Sequence, residues 1–182
     1  LRETVAIVRK AVAGERLEHD GKVFQLPLPG GQGKALRIDH AHDPKMRIFL
    51  ATLGPNALEF TGESADGWLG TSFSPNFADA HLSFIKKGAA SAGRSIDDIE
   101  IQASANVAVT DDVEPVVAAL KPGVAFTLGA MGSAKTNFYN AAFIRAGFDD
   151  DARAVQSLWL EGKRDAAAAR VPDDLVLQFG LI

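Results

Sequence analysis

Apolar and polar residues alternate with helical spacing at the start of the chain. Leu1, Val5, Val8 and Val12 recur every three or four residues, and charged residues lie between them. This pattern predicts an amphipathic helix over residues 1–14 that ends at Gly14. No capping residue precedes this helix, and the chain stops on an apolar stretch. We therefore expect the chain to be a piece of a longer protein.

The next segment, 15–45, is predicted to be a long surface excursion. Asp20 and Gly21 form a turn signal between short alternating stretches, which favours a small hairpin. The residues that follow are rich in proline and glycine and are not compatible with regular structure.

Three apolar segments then alternate with helical patterns. The segments 46–53, 68–73 and 99–109 are predicted strands, and 56–64 and about 75–92 are predicted helices. In the third strand the predicted buried face carries Ile101, Ala103, Ala105, Val107 and Val109. Residues 46–110 therefore predict three βα units with parallel strands, which is an α/β fold.

The remaining residues, 111–182, are predicted to be helical. Asp111 and Glu114 have the spacing of a capping box at the start of a helix. Pro122 and Gly123 are expected to break the helical segment once. Gly147 and Gly162 are expected to end two later helices.

Composition excludes several classes of protein. The 182 residues contain no cysteine, which excludes disulfides, thiolate metal sites and a cysteine nucleophile. The net charge of -4 argues against a nucleic-acid-binding module. No apolar run reaches the roughly 18 residues of a membrane span.

The strongest candidate for a binding site follows the first strand. In parallel α/β folds, ligands bind at the carboxyl ends of strands. Gly54 allows a ligand to approach the backbone, and the helix that begins after it offers free N–H groups to an anion. The segment therefore suits a phosphate or the polar edge of a cofactor ring, although an ordinary tight turn has the same pattern. Two further segments, around Thr71 and Ser72 and at 106–111, lie at equivalent positions.

Other polar clusters are weaker candidates. His40 and His42 lie between Asp39 and Asp43 in a pattern found in metal sites, which would suit a metal-dependent hydrolase. They precede their strand, however, so we expect no metal site. His19 and His81 are expected in surface or helix-face environments. Residues 129–133 resemble a phosphate loop only weakly, because no strand precedes them.

A longer motif carries a family resemblance. The segment 48–68, IFLATLGPNALEFTGESADGW, resembles the middle of the luciferase-like monooxygenase family. The Ala92-Gly93-Arg94 stretch is also similar. Gly132, the Asn137-Phe138-Tyr139-Asn140 block and the Arg145-Ala146-Gly147-Phe148 block resemble the branch that uses coenzyme F420. The resemblance covers most of the chain.

The resemblance implies a portion of a (β/α)8 TIM barrel, roughly strands 5–7 with their helices. The 1–14 helix would precede strand 5, and strand 8 would begin beyond Ile182. The implied cofactor-binding residues are Ala51, Thr52, Leu53, Gly54 and Pro55, and the implied substrate-binding residues are Thr71 and Ser72. The acid–base residues of the family come mainly from the first half of the barrel, so we name no catalytic residue.

The implied function is that of an oxidoreductase that transfers hydride with the deazaflavin coenzyme F420. An FMN-dependent monooxygenase of the same family is the alternative. A non-catalytic cofactor-binding or scaffolding relative is an alternative of another class. We further expect a small-molecule substrate, a homodimer, a cytoplasmic location and no activity of this piece by itself.

Overall fold

The computed structural model describes residues 1–39, 43–133 and 135–181. These residues form two compact units, Leu1–Ile48 and Phe49–Ile182. Each unit is described separately below.

In the first unit, the described residues form one helix and one hairpin. Helix α1 (Arg2–Val12) is followed by Gly14 at φ 73°, which confirms the predicted end of the helix. The N–H groups of Gly14 and Glu15 donate to the carbonyls of Ala11 and Lys10, so the last turn is closed by backbone hydrogen bonds. Strands β1 (His19–Asp20) and β2 (Gln25–Leu26) pair antiparallel, as the Asp20-Gly21 turn signal predicts.

The carboxylate of Glu3 ties the hairpin to α1. It accepts hydrogen bonds from the backbone N–H groups of Lys22, Val23 and Phe24 at 2.9–3.3 Å. The hydrogen bond from Phe24 is the largest cause of the lowered pKa of Glu3. The carboxylate of Glu3 in α1 thus accepts the N–H groups of the hairpin turn, a contact that the sequence does not indicate.

The second unit begins with a parallel sheet. Strands β3 (Phe49–Leu50), β4 (Gly67–Gly70) and β5 (Glu100–Ala103) lie in the order β3-β4-β5, and both pairings are parallel. Helix α2 (Pro55–Ser64) connects β3 to β4, and helix α3 (Asp79–Ser91) connects β4 to β5. The predicted α/β alternation is confirmed in these residues.

The strands are shorter than predicted. The segment 46–53 contributes only the two residues of β3 to the sheet. The carbonyls of Thr52 and Leu53 accept hydrogen bonds from side chains instead of from a neighbouring strand. The apolar pattern of residues 46–53 carries no information about which groups donate to these carbonyls.

The third predicted strand is interrupted. Pairing with β4 ends at Ala103, and a separate strand β6 (Asn106–Val107) pairs in parallel with β7 (Gly180–Leu181). Val107 is 70% exposed and Val109 is 100% exposed, so the predicted buried face is wrong at this end. Alternation indicates a strand but does not say what covers its face. Residues Gly180–Leu181 form a strand, although the whole segment 111–182 is predicted to be helical.

The rest of the second unit is helical. Over the described part of 114–178 five helices follow one another: α4 (Glu114–Ala130), α5 (Phe138–Arg145), α6 (Asp149–Leu160), α7 (Arg164–Arg170) and α8 (Asp173–Gln178). Gly147 and Gly162 have φ values of 96° and 78° at the ends of α5 and α6, as predicted. Ala125, Leu128, Ala152, Val155 and Leu175 lie in the core of these helices and have no solvent exposure.

Two helix-boundary predictions are wrong. Helix α4 continues through Pro122. Proline removes the N–H that would bond to the carbonyl of Ala118, but Ala118 is exposed, so water can hydrate that carbonyl. The helix begins at Glu114 after Val113 without a side-chain cap, and Asp111 forms no capping box. Thr110 instead accepts the N–H of Asp112 at 3.1 Å.

Helices α2 and α3 approach each other closely through glycine. A Cβ atom built on Gly88 would overlap the backbone carbonyl of Glu59, and one built on Gly62 would overlap that of Ile85. Arg94 strengthens the end of α2 by donating to the carbonyls of Gly62 and Ala65 at 2.9 and 2.8 Å. The Ala92-Gly93-Arg94 stretch therefore has a structural role in holding the two helices together.

We predict opposite effects for two Gly→Ala substitutions in helices. Gly88→Ala should lower the free energy of unfolding by roughly 2 kcal/mol or more, because the added methyl meets backbone that cannot rotate away. Gly123→Ala, in α4, has no atom within 4 Å of the added Cβ and should raise stability by about 0.5–1 kcal/mol. Urea unfolding of both variants measures the difference. Equal effects would contradict the close packing of α2 on α3.

Candidate active site

The candidate site is the turn between β3 and α2, residues 51–55, which we call the β3–α2 turn. Gly54 is the N-cap residue of α2 with extended backbone angles, and Pro55 is the first helical residue. The carbonyl of Gly54 accepts the N–H groups of Ala57 and Leu58. The sequence prediction of a helix N-terminus directly after a strand end is confirmed here.

Two consecutive carbonyls of this turn are bound by side chains. The indole N–H of Trp68 donates to the carbonyl of Thr52 at 2.9 Å. The guanidinium of Arg145 donates to the carbonyl of Leu53 at 3.1 Å. The Thr52 hydroxyl lies 2.7 Å from the Thr61 hydroxyl, which ties the turn to α2. The turn is therefore fixed by donors from β4 and α5 and by a hydroxyl–hydroxyl hydrogen bond to α2.

The predicted substrate residues follow the neighbouring strand. Thr71 is exposed, and Ser72 has a φ of 53°, in the left-handed region that few non-glycine residues adopt. Since β3 and β4 are parallel neighbours, both predicted segments lie at the same edge of the sheet. Ser72 lines a cavity of about 450 Å³ with Ser104, Asn106 and Thr127, whose described lining does not include residues 51–55.

The sequence leaves His81 open between a surface and a helix-face position, and the structure places it on the buried face of α3. It is only 2% exposed, and its ring centroid lies 5.2 Å from that of Trp68 and 6.4 Å from that of Phe73. A signal was present, because His81 is four residues from both Phe77 and Ile85 on the predicted apolar face of its helix. The spacing favoured a buried position over a surface one.

The environment of His81 keeps it neutral. Neither of its ring nitrogens has a hydrogen-bond partner among the described residues, and the buried Ser74 hydroxyl also has none there. Burial, and secondarily the positive charge of Arg145, lowers the pKa of His81 to about 4. His81 is therefore uncharged near neutral pH.

Arg145, which the resemblance names only within the Arg145-Ala146-Gly147-Phe148 block, is a second residue whose contacts the sequence did not indicate. Its Nε donates to the carbonyl of Ala80 at 2.9 Å, and its guanidinium carbon lies 5.6 Å from the centroid of the Phe84 ring. Burial lowers its pKa. Arg145 thus joins α5, α3 and the β3–α2 turn through backbone carbonyls.

Within the described part of the chain, the remaining candidates give no second site. His40 and His42 lie outside the described residues. Among the residues that the structure describes, no group of histidines and carboxylates could hold a metal ion. Gly129 belongs to α4, and a Cβ there would overlap the Trp159 side chain, so this glycine serves packing rather than a phosphate loop. In the described ranges, no helix is long and apolar enough to cross a membrane.

Comparison with known proteins identifies relatives along the whole chain. The model of the family described as luciferase-like monooxygenase matches residues 1–182. A candidate coenzyme F420-dependent oxidoreductase of Mycobacterium tuberculosis is 37% identical over 183 residues, which covers 96% of this chain and 53% of that protein. A 5,10-methylenetetrahydromethanopterin reductase of Methanopyrus kandleri is 26% identical and matches 100% of this chain and 49% of its own length.

A solved structure shows the same fold. The coenzyme F420-dependent tetrahydromethanopterin reductase of Methanopyrus kandleri aligns with a TM-score of 0.69 at 21% identity, over 98% of this chain and 48% of that chain. The chain therefore spans about half the length of the relatives that it matches.

The lowered pKa of His81 predicts a pH dependence of stability. In the unfolded chain His81 binds a proton below its ordinary pKa of 6.5, whereas in the folded chain it does so only below about pH 4. The free energy of unfolding should therefore fall as the pH falls from 6.5 to 4, with up to about 3 kcal/mol arising from this residue. His81→Phe keeps an aromatic ring beside Trp68 and should make that fall smaller. Urea unfolding at several pH values measures this dependence. An equal fall in the wild type and in the variant would contradict the lowered pKa of His81.

Proposed function

The chain belongs to the luciferase-like monooxygenase family, and we propose that the full-length protein is an oxidoreductase that uses coenzyme F420. It would transfer hydride between a substrate carbon and C5 of the deazaflavin. We further propose that this chain forms roughly strands 5–7 of a (β/α)8 barrel, whose cofactor-binding residues here are Ala51, Thr52, Leu53, Gly54 and Pro55.

The β3–α2 turn is the observation that carries the proposal. Its carbonyls at Thr52 and Leu53 are bound by Trp68 and Arg145, so what remains for a ligand is the N-terminal end of α2. The first turn of α2 contains no acidic residue that would repel an anion. Gly54 adds no side chain in front of this end, so the residues fit the polar edge or an anionic group of a flavin-like cofactor.

The cofactor would supply the atom that accepts or donates hydride. The residues of this chain would bind and orient it. Pro55 has no N–H and that of Ala57 donates to the Gly54 carbonyl, so the backbone donor at the start of α2 would be the N–H of Asn56. This N–H and the positive end of the helix dipole would hold the polar edge of the cofactor, and the fixed turn would set its distance from the sheet. We assign no acid–base residue in this chain, and we expect the piece to be inactive without the rest of the barrel.

The substrate is proposed to bind beside Thr71 and Ser72. The described residues that line the cavity at Ser72 are all uncharged, and their polar groups include hydroxyls and an amide. They favour a small, uncharged organic substrate that accepts or donates hydrogen bonds. We also propose a homodimer in the cytoplasm that binds neither nucleic acid nor membrane.

Two other functions are compatible with the turn. The same helix N-terminus suits the phosphate of FMN, which would make the protein an FMN-dependent monooxygenase. A cofactor-binding or scaffolding protein without catalysis would use the turn in the same way. The names of the relatives favour F420, because those described above include F420-dependent oxidoreductases.

We predict that Gly54→Asp in the full-length protein abolishes binding of F420. The aspartate would place a negative charge in front of the N-terminal end of α2, which we assign to the cofactor. The variant should still fold, because aspartate is a favourable N-cap residue. The nearest atom to the new Cβ would be on the half-exposed Phe138 ring at 3.3 Å, so a displacement of a few tenths of an ångström would accommodate it.

Gly54→Asn is the matched control for this experiment. Asparagine has nearly the same size as aspartate and caps helices equally well, but it carries no charge. Fluorescence titration with F420 and with FMN should show a much larger loss for aspartate than for asparagine. Unchanged affinity of Gly54→Asp for both cofactors would eliminate the β3–α2 turn as their site.

A further inference from the structure

Helix α5 contacts the β3–α2 turn from both of its ends. At its first residue, the Phe138 ring lies against Gly54, where a Cβ would be 3.3 Å from the ring. At its last residue, Arg145 donates to the carbonyl of Leu53 at 3.1 Å. The geometry of the turn therefore depends on a helix that begins more than 80 residues later in the chain.

Two buried asparagines fix α5 in place. Asn137 caps the helix through the N–H of Asn140, and its amide donates to the carbonyl of Leu128 at 2.8 Å. The amide of Asn140 donates to Leu128 at 3.1 Å and to Ala152 at 2.8 Å. Both side chains are at most 5% exposed. These bonds hold α5 against α4 and α6, because the loss of any of them would leave a buried polar group without a partner.

Arg145 connects this fixed helix to the turn. Its two bonds, to Leu53 and Ala80, both end on backbone carbonyls, so they set the position of main chain rather than of another side chain. His81, the residue after Ala80, is the titratable group beside it, and its neutral state avoids repulsion between two cations. A planar guanidinium with several donors can make both bonds at once, whereas a lysine ammonium on a different stem cannot reproduce the same geometry.

We propose that Arg145 is a positioning residue for the cofactor: its bond to the Leu53 carbonyl holds the β3–α2 turn in its binding conformation before the cofactor arrives. The inference rests on the proposed function, since it requires the cofactor to bind at this turn. Trp68 acts in the same way one residue earlier, through the carbonyl of Thr52. A turn that is already ordered binds its ligand more tightly, because the apparent Kd rises as the binding-competent fraction falls.

The test compares variants of the full-length protein by titration with F420, well below their unfolding temperatures. Arg145→Met keeps much of the side-chain length but has no donor, and Arg145→Lys keeps the charge and a donor. Arg153→Met removes an exposed arginine from α6 that pairs with Asp149 and serves as the control. Trp68→Phe keeps an aromatic ring but removes the indole N–H together with part of the buried ring, and it provides a second variant if Arg145→Met does not fold.

We expect the Kd for F420 to rise about tenfold in Arg145→Met, if the competent fraction falls to about a tenth. Arg145→Lys should recover part of this loss, Trp68→Phe should also bind more weakly, and Arg153→Met should bind as the wild type does. A merely structural role would lower the unfolding temperature and leave the Kd of the folded protein unchanged. An unchanged Kd for F420 in folded Arg145→Met would overturn the inference. If Arg145→Met does not fold, an unchanged Kd in both Arg145→Lys and Trp68→Phe would overturn it. Absence of F420 and FMN binding by the wild type would instead overturn the proposed function itself.

Discussion

The second unit depends on how two carbonyls at the end of β3 are satisfied. A buried carbonyl must accept a hydrogen bond, and a strand normally supplies one from its neighbour. Here the Thr52 and Leu53 carbonyls accept from Trp68 and Arg145. The chain can therefore leave the sheet after Leu50, turn at Gly54 and begin α2 at Pro55. Trp68 has no solvent exposure, so the same side chain that ends the strand also fills the core beside Leu58 and Ile85.

Helix ends and the order of elements could be predicted from the sequence because they depend on local chemistry. Gly14, Gly147 and Gly162 all have positive φ at the ends of helices. A glycine in this position avoids a steric cost that other residues carry, and the surrounding fold changes that cost little. The start of α2 at Gly54-Pro55 is also predictable from local chemistry, because proline is favoured at the first helical position.

Strand lengths and side-chain environments could not be predicted in this way because their causes are distant in sequence. Residues 52 and 53 look like strand until the donors from Trp68 and Arg145 are seen, and Arg145 is 92 residues away from Leu53. Val107 and Val109 alternate like a covered strand but lie in solvent. Pro122 has the pattern of a break but lies where a lost hydrogen bond costs little. The burial of His81 could be predicted in part, because its helical spacing indicates a buried position, whereas its polar imidazole ring suggests the surface.

The central claim is that the β3–α2 turn binds a deazaflavin in the full-length protein. The most direct measurement is a fluorescence titration of the full-length wild type with F420 and, in parallel, with FMN. The account predicts saturable, stoichiometric binding of F420 that is stronger than binding of FMN. Saturable binding of FMN with none of F420 would contradict the choice of cofactor, and binding of neither would contradict the proposed function.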